Sequence, residues 1–304
     1  LERLNTDHLD VRFEGIDVAA DARDESSASD RHENRVDVAS PVPEDFGGNS
    51  PDPTGLADDD PRLRRYEGVL PGFRAVVDLP FEEMTPWLEW LVEKGYDLDL
   101  DDPDPEAVYR GVEPGEPARY RAEHSEAAFL TDHLLRWLED DAPTDGPGWF
   151  AHATYIRPHP PYQAPAPYHA LVDPTSLALP VRASSRDAEA EQHLLARVAV
   201  RIPESAAPES DDEMRTLMAT YLGMVAEVDA QIGRVLDRLD ETGQADSTLV
   251  VVTSDHGEQL GEHWLIEKLG YWDASYAVPL IVRDPDAAAR AEPVSLPTEH
   301  VDVA

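Results

Sequence analysis

The chain has 304 residues, 63 acidic and 25 basic, for a net charge of −38, a field that opposes non-specific binding to nucleic acid or anionic membranes. It has no cysteine, so neither a disulfide framework nor a thiolate metal site is available. No apolar run reaches membrane-spanning length and no basic segment followed by an apolar stretch opens the chain, so a soluble, cytoplasmic protein is expected, with one large α/β core or two modest domains.

Residues 1–49 are dominated by Asp, Glu, Arg, Ser and Ala, with isolated apolar residues and no sustained period of 2 or 3.6. They read as a disordered or poorly packed leader. The text changes character near Ser50. Residues 81–96 have helical periodicity, with Met84, Trp87, Leu88, Leu91 and Val92 on one face and Gly95 as the stop. Aromatic residues at that spacing belong to a core, so Trp87 and Trp90 are assigned there. An acidic, proline-rich connector spans 98–117. A second helix is expected over 124–140, with His133 on its surface and His124 beside its amino-terminal cap.

Residues 149–156 form a strand by composition. It runs into Arg157-Pro-His159-Pro-Pro-Tyr-Gln-Ala-Pro-Ala-Pro167, where prolines remove donors and end the sheet. A rigid loop after a strand is well suited to holding His159 in one orientation. Residues 177–208 form a variable insertion with a short helix over 188–197. A long helix capped by Asp211 then runs to about Thr242, its stripe including Leu217, Met224, Val228, Val235 and Leu239. Gly243 ends it.

Leu249 to Val252 is a continuous apolar run, the pattern of a strand buried on both faces of a parallel sheet. It breaks into Ser254-Asp255-His256-Gly257-Glu258, with Lys268 downstream. Ligands bind beyond the carboxyl ends of strands in open α/β sheets, and Asp and His both ligate divalent cations. Residues 277–282 form a third buried strand. The order strand, insertion, helix, strand suggests a right-handed crossover in a mainly parallel sheet.

The Ser-Asp-His-Gly-Glu turn with its downstream Lys resembles the sulfatase branch of the alkaline phosphatase superfamily, and the Arg-Pro-His-Pro-Pro loop is similar to that of phosphonate monoester hydrolases, relatives of the arylsulfatases. The run from Tyr221 to Arg234 resembles the helix preceding the metal strand in that family. The resemblance implies an α/β fold with a mainly parallel sheet flanked by helices, alkaline phosphatase-like and incomplete, in a partial domain over 50–304. It implies Asp255 and His256 as ligands of one divalent metal ion, Mn, Ca or Zn, with Lys268 contacting the substrate and His159 binding or protonating near the scissile group. The implied substrate is a small anionic ester: a phosphonate monoester, phosphodiester or sulfate ester. No nucleic acid or membrane partner is expected, and a homo-oligomer is compatible with the sequence.

The family's nucleophile is a Cys converted to formylglycine, or a Ser, in a Cys/Ser-x-Pro-x-Arg motif. This chain encodes neither the Cys nor that context, and the family's amino-terminal metal Asp and carboxyl-terminal part have no counterpart. The expectation is a fragment with little or no hydrolysis as it stands; the alternative is a noncatalytic remnant that folds or binds anions without turnover.

Overall fold

The longest helix among the described residues contributes to two cores. The Ser210 hydroxyl accepts the Glu213 amide at 3.3 Å and opens α5, Asp211–Glu241. Asp211, Asp212 and Glu213 in its first turn complement the positive end of the helix dipole. Gly243, at φ 70°, closes it, with the Gln244 amide donating to the Leu239 carbonyl at 2.8 Å. Its 31 residues extend about 46 Å, enough to serve two cores. Met214, Leu217 and Met224 pack with Tyr162, Ala164 and Ala207, and Leu239 reaches a larger core at the far end.

The computed structural model describes residues 33–39, 73–80, 84–102, 104–143, 148–285, 298–300 and 303. The larger core gathers β2 (Arg74–Pro80), α1 (Thr85–Glu93), α2 (Glu126–Asp140) and β3 (Phe150–Thr154) around Leu79, Met84, Trp87, Leu91, Leu130, Leu134 and Trp137. Met84, Trp87, Leu88 and Leu91 of the stripe over 81–96 therefore face this core, whereas Val92 is exposed, and residues 81–83 lie outside the described set. Pro86 sits in the first turn of α1, where its missing amide hydrogen costs nothing, and Gly95 at φ 94° follows the last turn. Ser125 caps α2 by accepting the Ala128 amide at 3.1 Å.

A strand, β1 (Glu33–Ala39), lies inside the segment read as a leader. It pairs antiparallel with β2 on one side, with a register shift between Val36 and Asp37, and with β3 on the other in continuous register. Its single Val-Asp-Val alternation is too short to stand out from the charged residues around it.

The chain forms the α/β mixture expected, and the pairing among the described residues is antiparallel throughout. β4 (Val250–Thr253) pairs with β7 (Leu280–Arg283), and β5 (Gln259–Leu260) with β6 (Ile266–Glu267). Among the described residues β3 pairs with β1 and β4 with β7, and no parallel ladder joins residues 149–156 to 249–252. Nor is the β4–β7 ribbon buried on both faces: Val251 is 38% exposed and Val282 54%. The insertion folds as two short helices rather than one, α3 (Arg186–Ala190) and α4 (Leu194–Ala199), because Ser185 and His193 each cap a new start. α6 (Asp273–Tyr276) precedes β7. Among the described residues no helix is long and apolar enough to cross a membrane.

Candidate active site

Two loops meet. One leaves β3 and carries His159; the other leaves β4 and carries Asp255 and His256, and the two imidazoles lie 6.2 Å apart, nearly perpendicular. A hydrogen bond of 3.0 Å from the Tyr162 hydroxyl to Glu258 joins one loop to the other. Burial pushes the Glu258 carboxyl up to about 8, outweighing the opposing bond from Tyr162 and the nearby charge of Lys268.

The second loop is held by short bonds to its backbone. The Ser254 hydroxyl donates to the His256 carbonyl at 2.7 Å, and the Asp255 carboxylate accepts the His256 amide at 2.9 Å. The Gly257 amide donates to the Ser275 carbonyl on α6 at 2.6 Å. Only glycine fits there, since a Cβ would collide with the Ala274 carbonyl oxygen. His300 Nε2 donates to the Ser254 carbonyl at 2.7 Å.

These bonds aim the imidazole. His256 Nδ1 donates to the Gly257 carbonyl at 2.7 Å, so in the neutral ring the Nε2 lone pair faces outward, the tautomer a metal requires. Asp255 Oδ2 lies 3.7 Å and Lys268 Nζ 3.4 Å from that nitrogen. A carboxylate oxygen and an imidazole nitrogen converging on one point suit a hard or borderline divalent cation, so the two donors fit the group expected of them. Asp255 is mostly exposed. The same logic holds in the first loop, where His159 Nδ1 donates to the Pro160 carbonyl at 2.8 Å, leaving Nε2 as the nitrogen that gains or loses a proton.

All four predicted residues are thus in one neighbourhood: Asp255 and Lys268 beside His256, and His159 across from it. Three further histidines have structural places. His124 Nδ1 lies 2.9 Å from the Tyr96 hydroxyl, and His133 Nδ1 donates to the Phe129 carbonyl on its own helix. His263 stacks on Trp272 at 3.7 Å and bonds Glu189 at 2.8 Å, which turns it toward α3. Sequence reading passed over Arg157, Tyr162 and Glu258. The visible signal was that Arg157 and Tyr162 bracket the His159 motif and Glu258 follows the metal turn.

The family model for sulfatases matches residues 88–304. The chain belongs to the sulfatase family. Among its relatives is the multifunctional alkaline phosphatase superfamily protein PehA of Trinickia caryophylli, 38% identical over 251 residues, which are 77% of this chain and 48% of that protein. The phosphonate monoester hydrolase of Silicibacter pomeroyi superposes with a TM-score of 0.65 at 41% identity, and that of Agrobacterium radiobacter with 0.65 at 38%. Each match covers 77% of this chain and 48% of the other. The fold is therefore the alkaline phosphatase-like α/β fold of these hydrolases. The chain spans about half the length of the sulfatase-family relatives it matches.

Proposed function

We propose that this arrangement serves metal-dependent hydrolysis of phosphonate monoesters, phosphodiesters or sulfate esters. The observation that carries the reading is the outward Nε2 of His256, flanked by the Asp255 carboxylate and the Lys268 ammonium and faced by His159. Such esters resist attack because their anionic oxygens repel nucleophiles. Asp255 and His256 would hold a divalent cation, which when bound supplies Lewis-acid neutralisation of those oxygens. Lys268 adds a compact positive charge beside the same point. As an imidazolium, with its Nδ1–H held by the Pro160 carbonyl, His159 donates a hydrogen bond to the ester from Nε2–H or gives that proton to the leaving oxygen and becomes the neutral Nδ1–H ring.

A second reading, anion binding without turnover, is favoured by two observations. Among the described residues no group of three or more His, Cys, Asp and Glu gathers to hold a metal, and neither the Cys nor the Ser-x-Pro-x-Arg context of the family nucleophile is encoded. Calorimetry with an unreactive alkyl phosphonate monoester, with and without Mn²⁺, tests the shared part of both readings. Binding should weaken on Lys268→Ala and on His159→Ala, and strengthen with Mn²⁺ where Asp255 and His256 hold the metal; binding indifferent to both substitutions and to Mn²⁺ would sink the two readings together. Release of aryl alcohol from matched aryl phosphonate and aryl sulfate esters then separates them. Little or none is expected from this chain, and metal-dependent turnover would displace the second reading.

A further inference from the structure

Arg157 is buried, with 6% of its surface exposed, at the point where β3 gives way to the His159 loop. Its Nε donates to Glu126 at 2.8 Å, and its Nη1 donates to two carbonyls of the loop, those of His159 and Pro161, each at 2.8 Å. The guanidinium lies over the Tyr109 ring, 4.6 Å from its centroid. Glu126 is itself buried and opens α2 next to the cap Ser125, whose hydroxyl donates to Glu227 of α5 at 2.6 Å.

A buried guanidinium is costly to desolvate, so an ion pair alone gives no reason to place one here. What the ion pair does not explain is the direction of the other donors. One guanidinium nitrogen holds the carbonyls on either side of Pro160, the residue whose own carbonyl receives His159 Nδ1. The planar fork of Arg reaches a carboxylate and two carbonyls at fixed angles, which the single ammonium of Lys does not reproduce.

We propose that Arg157, anchored by Glu126, is a positioning residue for His159: it fixes the loop backbone so that the Pro160 carbonyl captures Nδ1 and Nε2 is the nitrogen turned to the ester. The role rests on the reading of His159 as a substrate-facing group, but the arrangement itself is tested without substrate. Long-range ¹H–¹⁵N spectra of the imidazoles of this chain, at a pH where His159 is neutral, report which ring nitrogen carries the proton.

In the native chain His159 should be a single Nδ1–H tautomer. In Arg157→Gln it should lose that preference and become a mixture with Nε2–H as the major form, and Arg157→Lys should fall between the two. The His133 resonances, governed by a bond within α2, report that the fold persists, and Arg157→Lys serves if Arg157→Gln does not fold. A native His159 that is already mixed or Nε2–H overturns the proposal, as does an unchanged tautomer in a folded Arg157 variant. Mn²⁺ titration of the same samples reads His256 separately. Loss of the metal response with a locked His159 would count against the hydrolase reading and leave the positioning role standing.

Discussion

His159 and His256 face each other across 6.2 Å, yet two different kinds of structure hold them. The His159 loop is anchored by buried side chains: Arg157 and Glu126, at 5% and 2% side-chain exposure, join it to α2. The Asp255–His256 turn is shaped mainly by short-range bonds of its own Ser254 and Asp255 side chains, by one amide bond to α6 and by single bonds from His300 and Tyr162, and it leaves a two-stranded ribbon whose apolar residues include the exposed Val251 and Val282. The half suited to the anion therefore draws its rigidity from the core. The half suited to the metal draws it from local geometry, so damage to the two should register in different measurements.

Removing one partner of the buried pair should have the largest effect. Glu126→Ala leaves the Arg157 charge uncompensated and should cost about 3–5 kcal/mol in urea unfolding, whereas Arg121→Ala, which breaks an exposed pair with Glu123, should be indistinguishable from the native chain. Equal losses from the two would mean that burial does not set the strength of the Arg157–Glu126 brace.

Glu227 sharpens the same contrast through pH. Burial pushes its carboxyl up to about 7 from 4.5, despite the bond from Ser125. Because folding favours the protonated form, its stabilising contribution is complete below pH 4.5 and is lost as pH rises through 7, about 3 kcal/mol across that window. Unfolding free energies of the native chain should fall relative to Glu227→Gln from pH 4.5 to 7 and run parallel above it. Parallel curves throughout would contradict the assignment.

Gly257 probes the local side. Gly257→Ala must displace the Ala274 carbonyl and lengthen the amide bond to Ser275, a cost of about 1–3 kcal/mol by thermal unfolding. Its His256 resonances should shift while those of His133 stay in place. A shift at both would mean the turn is not an independent unit.

Much of this contrast was legible in the sequence wherever the signal was local. Gly95 and Gly243 mark helix ends because both require φ above zero. Pro-His-Pro-Pro and Asp-His-Gly announce loops after strands, and the two loops do meet. What sequence could not carry was the partner of each strand. A run such as Leu249 to Val252 is apolar whether it lies in a parallel core or an open antiparallel ribbon, and β1 has one alternation amid acidic residues. Arg157 was hidden for the same reason: Glu126 is 31 positions away, and nothing near Arg157 in the chain distinguishes a buried fork from a surface charge.

The most direct test of the account is Mn²⁺ titration of the native chain and Asp255→Asn, followed by paramagnetic broadening of the imidazole resonances. His256 should broaden first, His133 should remain sharp, and Asp255→Asn should weaken the response more than about tenfold. If His256 stays sharp, or Asp255→Asn titrates like the native chain, the outward Nε2 and its carboxylate neighbour do not form a metal site.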